Sequence, residues 1–125
     1  MKIFSVEEAN SLLPAVAHIV KKIQRAHTQI MAHGDQAKQA AENADQGGGG
    51  MGNGVAYATF LIDMTAMVGE IEALGVQLKD FSRGLIDFPC LRDGRVVLLC
   101  WQIGEGDCLE WWHDIDAGYA GRTPL

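Results

Sequence analysis

The C-terminal half of the chain contains residue types that suit metal binding or nucleophilic catalysis. Asp87, Cys100 and His113 offer a carboxylate, a thiol and an imidazole, which are ligand types of zinc. A histidine close to a cysteine also lowers the pKa of the thiol, so the same residues can form an activated nucleophile. Either chemistry requires the fold to bring the three side chains to one face, and the turns between them decide this.

The first turn predicts that two of these side chains are neighbours. Asp93-Gly94 lies between two apolar runs and is a strong signal for a two-residue hairpin turn. In the register that this turn sets, Asp87 lies opposite Cys100 on the same face of the sheet. The sequence therefore predicts a carboxylate and a thiol as cross-strand neighbours inside an apolar hairpin.

The position of His113 depends on the second turn, for which the sequence leaves two registers open. Either two or all three residues of Gly104-Glu105-Gly106 lie in the loop. With a two-residue loop, His113 joins Asp87 and Cys100 on one face. With a three-residue loop, Glu110 faces Cys100 and His113 points to the other side. One residue of register thus separates an Asp-Cys-His cluster from an Asp-Cys-Glu cluster.

A structural interpretation of the same residues competes with the functional one. Asp87 lies among apolar neighbours, and a buried carboxylate needs a partner. The available cations are Arg83, Arg95 and Arg122, and the last of these reaches the sheet if the irregular tail folds back. We therefore expect an ion pair between Asp87 and an arginine, with Cys100 packed as an inert buried thiol. The candidate polar cluster of this half of the chain is Asp87, Cys100, Glu110, His113 and Arg122.

Three tryptophans lie in the same region, at positions 101, 111 and 112. Strand alternation puts Trp111 and Trp112 on opposite faces. We expect one of them to pack against the helices and the other to lie under the tail. The functional alternative for Trp101, Trp111 and Trp112 is an aromatic anchor in a partner interface or in a ligand pocket.

The N-terminal 74 residues predict a pair of helices. Ser5 and Glu8 have the spacing of a capping box, and Pro14 suits the first position of a second, longer helix. Gly34 is a candidate interruption of that helix, and residues 35–46 read as a solvated, partly helical extension. The apolar positions of the longer helix recur at helical spacing: Val16, Ile19, Val20, Ile23 and Ile30.

A further helix is predicted from about Val55 to Leu74, with Gly75 as its left-handed C-terminal cap and Val76 contacting Ile71. The glycine-rich segment 47–54 predicts a flexible joint, so the two long helices should pack antiparallel. The buried stripe of this helix is predicted to be Leu61, Met64, Thr65, Val68, Ile71 and Leu74. From residue 75 the apolar period changes to two, which predicts three or four short strands between Val76 and His113 and an irregular tail.

Length and composition narrow the class of protein. The 125 residues predict a single domain over residues 1–125, with residues 1–74 as the helical hairpin and 75–125 as the β module. A net charge of −6 with scattered basic residues argues against nucleic-acid binding and against an anionic membrane surface. No apolar run approaches the roughly 18 residues of a membrane span. Three cysteines without a secretory signal predict reduced thiols in the cytoplasm.

Several short motifs together resemble those of a known family. They are Glu7-Glu8-Ala9-Asn10, Leu13-Pro14, residues 75–80, residues 84–89, Leu99-Cys100-Trp101, Gly104-Glu105, Trp112-His113 and Gly121-Arg122. In this combination the chain resembles a bacterial family catalogued as domain of unknown function 2203, over nearly its whole length apart from the glycine-rich joint. The resemblance implies a helical hairpin with a small C-terminal module in a cytosolic protein, and it supplies no activity, substrate or site residue.

These observations predict an α+β fold in which an antiparallel two-helix hairpin packs on a small antiparallel sheet of three to four strands. Such a hairpin on a thin sheet leaves apolar surface exposed, so we expect a homodimer through the helices. The favoured function is a non-catalytic interaction or assembly module. The alternative is a small-molecule or metal-binding protein, or an enzyme, with its site in the β module: Asp87, Cys100, and Glu110 or His113, with Arg122 nearby.

Overall fold

The computed structural model describes residues 1–44 and 51–125, with the side chains of 1–35 and 55–125. Two α-helices precede a five-stranded sheet in which each strand is antiparallel to the next, in the order β1-β2-β3-β4-β5. The predicted α+β class is confirmed, and the sheet has one strand more than the upper prediction. The elements are α1 (Val6–Ala44), α2 (Met51–Ala73), β1 (Gln77–Asp80), β2 (Leu85–Arg92), β3 (Arg95–Gln102), β4 (Trp111–Asp114), a 3₁₀ turn (Tyr119–Gly121) and β5 (Thr123–Pro124).

Helix α1 runs without a break through Pro14 and Gly34, so the prediction of a new helix beginning at Pro14 is wrong. The capping box at Ser5 and Glu8 is confirmed by its two reciprocal hydrogen bonds, at 3.0 and 3.2 Å. The proline ring is exposed, while Leu13 and Val16 on either side of it are fully buried. An interior proline costs about 3 kcal/mol, and burying each of these side chains contributes about 1.5–3 kcal/mol. Packing of one continuous stripe therefore keeps the helix intact.

Helix α2 begins at Met51, four residues earlier than predicted. Residues 45–50, which belong to the predicted extension and joint, lie outside the described residues, and residues 51–54 are part of α2. The predicted C-terminal cap is confirmed, because Gly75 has a φ of 87° and the Val76 amide donates to the Ile71 carbonyl at 3.3 Å. The prediction that Thr65 belongs to the buried stripe of α2 is wrong. Thr65 is exposed, and its hydroxyl donates to the Leu61 carbonyl at 2.8 Å.

The two helices lie antiparallel and cover one face of the sheet. His33 near the end of α1 packs against Phe60 near the start of α2, with ring centroids 5.2 Å apart. Phe4, before α1, meets Phe88 of β2 edge to face at 5.4 Å. The main core lies between the helices and this face, and its largest fully buried side chains include Phe4, Leu13, Val16, Val20, Ile23, Ile71, Ile86, Phe88, Val97 and Leu99.

The strand registers settle the geometry that the sequence left open. Asp93 and Gly94 both have positive φ, as a two-residue hairpin turn requires, and Asp87 pairs with Cys100 as predicted. Trp111 pairs with Cys100 and His113 with Leu98, so the Asp-Cys-His register is correct and the register with Glu110 opposite Cys100 is wrong.

The last strands differ from prediction at their ends. Strand β4 begins at Trp111 and ends at Asp114, one residue beyond the predicted limit of His113. The tail, which was predicted to be irregular, forms the 3₁₀ turn and then β5, which pairs with β4. The backbone amide of Leu125 donates to the Glu110 carbonyl at 2.9 Å. The C-terminal tail is therefore hydrogen-bonded to β4 at the edge of the sheet, which brings Arg122 close to that strand.

Candidate functional site

The predicted cluster lies on the face of the sheet that points away from the core between helices and sheet. Asp87 on β2, Cys100 on β3 and His113 on β4 come from three adjacent strands. Their neighbours in sequence, such as Phe88 and Leu99, belong to the core on the opposite face, as strand alternation requires. The three side chains are 2%, 1% and 3% exposed. Three regular strands thus hold three buried polar groups together.

The polar atoms of this cluster converge. Nε2 of His113 lies 3.1 Å from Oδ1 of Asp87, and one ligand atom from each of Asp87, Cys100 and His113 lies within 4.8 Å of the others. Nδ1 of His113 donates to the backbone carbonyl of Asp114 at 2.7 Å. A carbonyl oxygen can only accept, so Nδ1 carries a proton and Nε2 is the nitrogen that contacts Asp87. The two hydrogen bonds together fix the orientation of the ring.

Burial and charge shift the acidities of this cluster. Burial raises the pKa of Asp87 above its ordinary value, while the nearby charges of His113 and Lys79 oppose that rise. The Lys79 ammonium lies 4.0 Å from Oδ2 of Asp87. Burial, together with the negative charge of Asp87, raises the pKa of Cys100 to about 12. The Cys100 thiol is therefore protonated near neutral pH.

This arrangement does not support the activated-thiolate interpretation. In a catalytic triad, one imidazole nitrogen accepts the proton of the nucleophile while the other is held by the acid. In His113, Nε2 contacts Asp87 and Nδ1 is bonded to the Asp114 carbonyl. Neither nitrogen is free to accept a proton from Cys100. Asp87, Cys100 and His113 therefore present three converging donor atoms and do not form a proton relay from the thiol to the carboxylate.

The predicted ion pair between Asp87 and an arginine is wrong. Among the described residues, the partners of Asp87 are His113 and Lys79. Sequence reasoning considered His113 as a metal ligand or as an activator of the thiol, and overlooked that it can supply the partner of the carboxylate. The arginines pair elsewhere: Arg122 with Glu105 at 2.8 Å, Arg95 with Asp114 at 3.0 Å and Arg83 with the Gln102 side chain at 2.8 Å.

Arg122 nevertheless reaches the edge of the cluster. Its guanidinium lies 4.8 Å from the ring centroid of Trp111 and 4.0 Å from that of Tyr119. Burial works to lower the pKa of Arg122, but the hydrogen bond and charge of Glu105 outweigh it and raise the pKa. Sequence reasoning missed Glu105 and Tyr119 as partners. The signal for Glu105 was its place in the Gly104–Gly106 turn, where its carboxylate also accepts the Gln102 amide at 2.7 Å.

The remaining predicted site residues lie elsewhere. Glu110 is exposed and precedes β4, so it does not join the cluster. Trp101 is buried in the main core, and its indole donates to the Gly106 carbonyl at 3.0 Å. Trp111 and Trp112 lie on opposite faces as predicted: Trp111 stacks with Arg122 of the tail, and Trp112 packs at the edge of the core.

The fold and the cluster define a helical hairpin over an antiparallel sheet with a buried Asp-Cys-His site. The chain matches the model of the family described as "Uncharacterized conserved protein (DUF2203)" over residues 2–125 and belongs to that family. This confirms the resemblance drawn from the motifs. No curated protein and no solved structure matches the chain. Within residues 1–44 and 51–125, neither helix is long and apolar enough to cross a membrane.

Proposed function

We propose that this protein is a non-catalytic assembly module that forms a homodimer through α2. The observation that carries the proposal is the composition of one side of this helix. Eight residues on that side are all exposed and all uncharged, and we call them the α2 outer face: Val55, Ala58, Thr59, Ile62, Thr65, Ala66, Gly69 and Ala73. At 3.6 residues per turn they fall within an arc of about 120°. A solvent-facing helix surface normally carries charged residues along such an arc.

The spacing within the outer face supports a helix as the partner. Six of its residues follow each other at intervals of four, three, four, three and four, which is the seam of a coiled coil. Ile62 in the middle is 69% exposed, and the alanines and glycine around it allow another helix to approach closely. The six residues are Val55, Thr59, Ile62, Ala66, Gly69 and Ala73.

The charges beside the outer face support a second copy of the chain as that partner. Asp63 flanks the face, and Lys22 and Arg25 of α1 line the same groove beside α2. Among the described residues, neither cation lies within 4.0 Å of an acidic group. If two copies of α2 pack antiparallel about a two-fold axis, the edge of the outer face that borders Asp63, Lys22 and Arg25 lies against the same edge of the other copy. Opposite charges then meet at the same level along the helix, and two hairpins form a four-helix bundle.

Sedimentation velocity on matched variants tests this proposal. The wild-type chain is expected to sediment as a dimer at micromolar concentration. Ala66→Glu places two like charges near the two-fold axis and should give a monomer. Ala15→Glu makes the same change at an exposed alanine of α1, away from the outer face, and should remain a dimer. A monomeric wild type, or a dimeric Ala66→Glu variant, contradicts the proposal.

The cellular setting that we infer is the reducing cytoplasm of a bacterium. Support comes from the three cysteines, all of which are unpaired, with Cys90 and Cys100 buried and Cys108 exposed. An exposed free thiol is best tolerated where thiols are kept reduced. The net charge of −6 favours a protein partner over nucleic acid, since phosphate binding requires clustered cations.

A further inference from the structure

The Asp-Cys-His cluster plays no part in the dimer proposed through α2. We propose that Asp87, Cys100 and His113 bind a divalent late transition-metal ion of the zinc class, with solvent as a fourth ligand. The donors are a carboxylate oxygen, Sγ and Nε2, a set that zinc accepts in four-coordinate sites. A three-residue set with one open position is the arrangement of a zinc site that can also bind a small ligand.

The three donor side chains converge from rigid elements. The three residues lie on neighbouring strands of one sheet, and each is at least nine-tenths buried. Two donors bound to one zinc ion are about 3.5 Å apart, as follows from Zn–N and Zn–S bonds of roughly 2.0 and 2.3 Å. Here Nε2 of His113 lies 3.1 Å from Oδ1 of Asp87, and one ligand atom from each of the three residues lies within 4.8 Å of the others. A shift of about 1 Å in side-chain position therefore forms the site.

The imidazole of His113 is oriented as in a metal-binding histidine. Metal-binding histidines usually donate the proton of their other nitrogen to a carbonyl or a carboxylate, which fixes the tautomer. Nδ1 of His113 already makes this bond to the Asp114 carbonyl at 2.7 Å. Nε2 therefore faces Asp87 and Cys100 in the tautomer that a metal ion requires.

The charges at the cluster can adjust to a divalent ion. Within the part of the chain that the structure describes, the lysine that reaches Asp87 is Lys79, whose Nζ lies 4.0 Å from Oδ2 and whose side chain is 44% exposed. Lys79 can therefore swing into solvent when a divalent ion takes its place. On binding, the S–H bond of Cys100 breaks, a metal–sulfur bond forms, and the proton passes to solvent. The carboxylate and the thiolate together then balance the charge of the ion.

Metal titration of the full-length chain tests the site. After treatment with a chelator, the wild type is expected to bind one Zn²⁺ per chain, measured by native mass spectrometry. Co²⁺ should produce a sulfur-to-metal charge-transfer band, which requires a cysteine ligand. Cys100→Ser should abolish the band, and His113→Gln should weaken binding at least tenfold. Matched controls Cys108→Ser and His18→Gln change an exposed thiol and an exposed imidazole, and both should bind as the wild type does.

Either of two results with the wild type and Cys108→Ser overturns the proposal. No bound ion in the wild type leaves Asp87 and His113 as a purely structural pair. A charge-transfer band that disappears in Cys108→Ser places the ion at the surface. If Cys100→Ser does not fold, the band in Cys108→Ser still decides, because the other remaining thiol, Cys90, lies on the core face of the sheet. Ala66→Glu leaves the cluster intact, so metal binding by that variant separates this proposal from the proposed dimer.

Discussion

Replacement of Asp87 by alanine is the most informative change to the stability of the β module. Asp87 is 2% exposed and bonds to Nε2 of His113 at 3.1 Å. Alanine removes this partner and leaves the buried imidazole nitrogen without a hydrogen bond. The cost is about 1–3 kcal/mol if the pair is neutral and about 3–5 kcal/mol if it is ionised. Both ranges include about 3 kcal/mol, a substantial part of the 5–15 kcal/mol that stabilises a typical domain.

Urea unfolding in the presence of a chelator, followed by tryptophan fluorescence, measures this cost. In a thermal melt of the same variant, a loss of about 3 kcal/mol lowers the melting temperature of a chain of this size by roughly 10–15 °C. Asp87→Asn keeps the size and hydrogen-bonding capacity of the side chain and should lose only about 1 kcal/mol. Asp116→Ala, at an exposed aspartate, should change stability by less than about 0.5 kcal/mol. If Asp87→Ala unfolds at the same urea concentration as Asp116→Ala, the buried pair does not stabilise the fold.

Three further predictions concern the same module. Burial raises the pKa of Asp87 above the ordinary value of 3.8, so its protonated form favours folding. The wild type should gain stability relative to Asp87→Asn as the pH falls through the raised pKa, with no further gain below 3.8. Cys108 should react rapidly with a thiol reagent in the native state, whereas Cys100, which is 1% exposed and has a pKa raised to about 12, should react only after unfolding. Gly84→Ala should lower the melting temperature more than Gly94→Ala, because both glycines have positive φ but only at Gly84 would a methyl group overlap neighbouring side chains.

Each of these has a clear opposite result. A stability difference between wild type and Asp87→Asn that does not depend on pH means that the carboxyl group titrates at the same pH in the folded and unfolded chain. Equal labelling rates of Cys108 and Cys100 mean that the sheet opens readily to solvent. Equal melting temperatures for Gly84→Ala and Gly94→Ala mean that backbone strain, common to both turns, outweighs the close contact at Gly84.

Local turn chemistry made the position of the cluster predictable. Asp93-Gly94 permits few alternatives to a two-residue turn, and counting back along the strands pairs Asp87 with Cys100. The following loop could not be settled in the same way, because every residue of Gly104-Glu105-Gly106 tolerates turn conformations. Its register depends on which face of β4 packs against the core, and that is a property of the assembled sheet.

Predictions failed where long-range packing opposed a local preference. Proline disfavours helix interiors, but the apolar stripe on both sides of Pro14 is buried in the core, and this burial keeps α1 continuous. The partner of Asp87 was expected among the arginines because of their permanent charge. The fold instead places His113 on β4, on the same face of the sheet as Asp87. Arg122 pairs with Glu105 and lies against the rings of Trp111 and Tyr119. Neither arrangement follows from spacing along the chain.

In the proposed homodimer, the α2 outer face is covered by a second copy of the chain. A native mass spectrum of the purified, full-length protein tests it most directly. We expect a species with twice the chain mass of 13.5 kDa, and its conversion to the single-chain mass in Ala66→Glu but not in Ala15→Glu. A wild-type spectrum that contains only the 13.5 kDa species at micromolar concentration contradicts the claim.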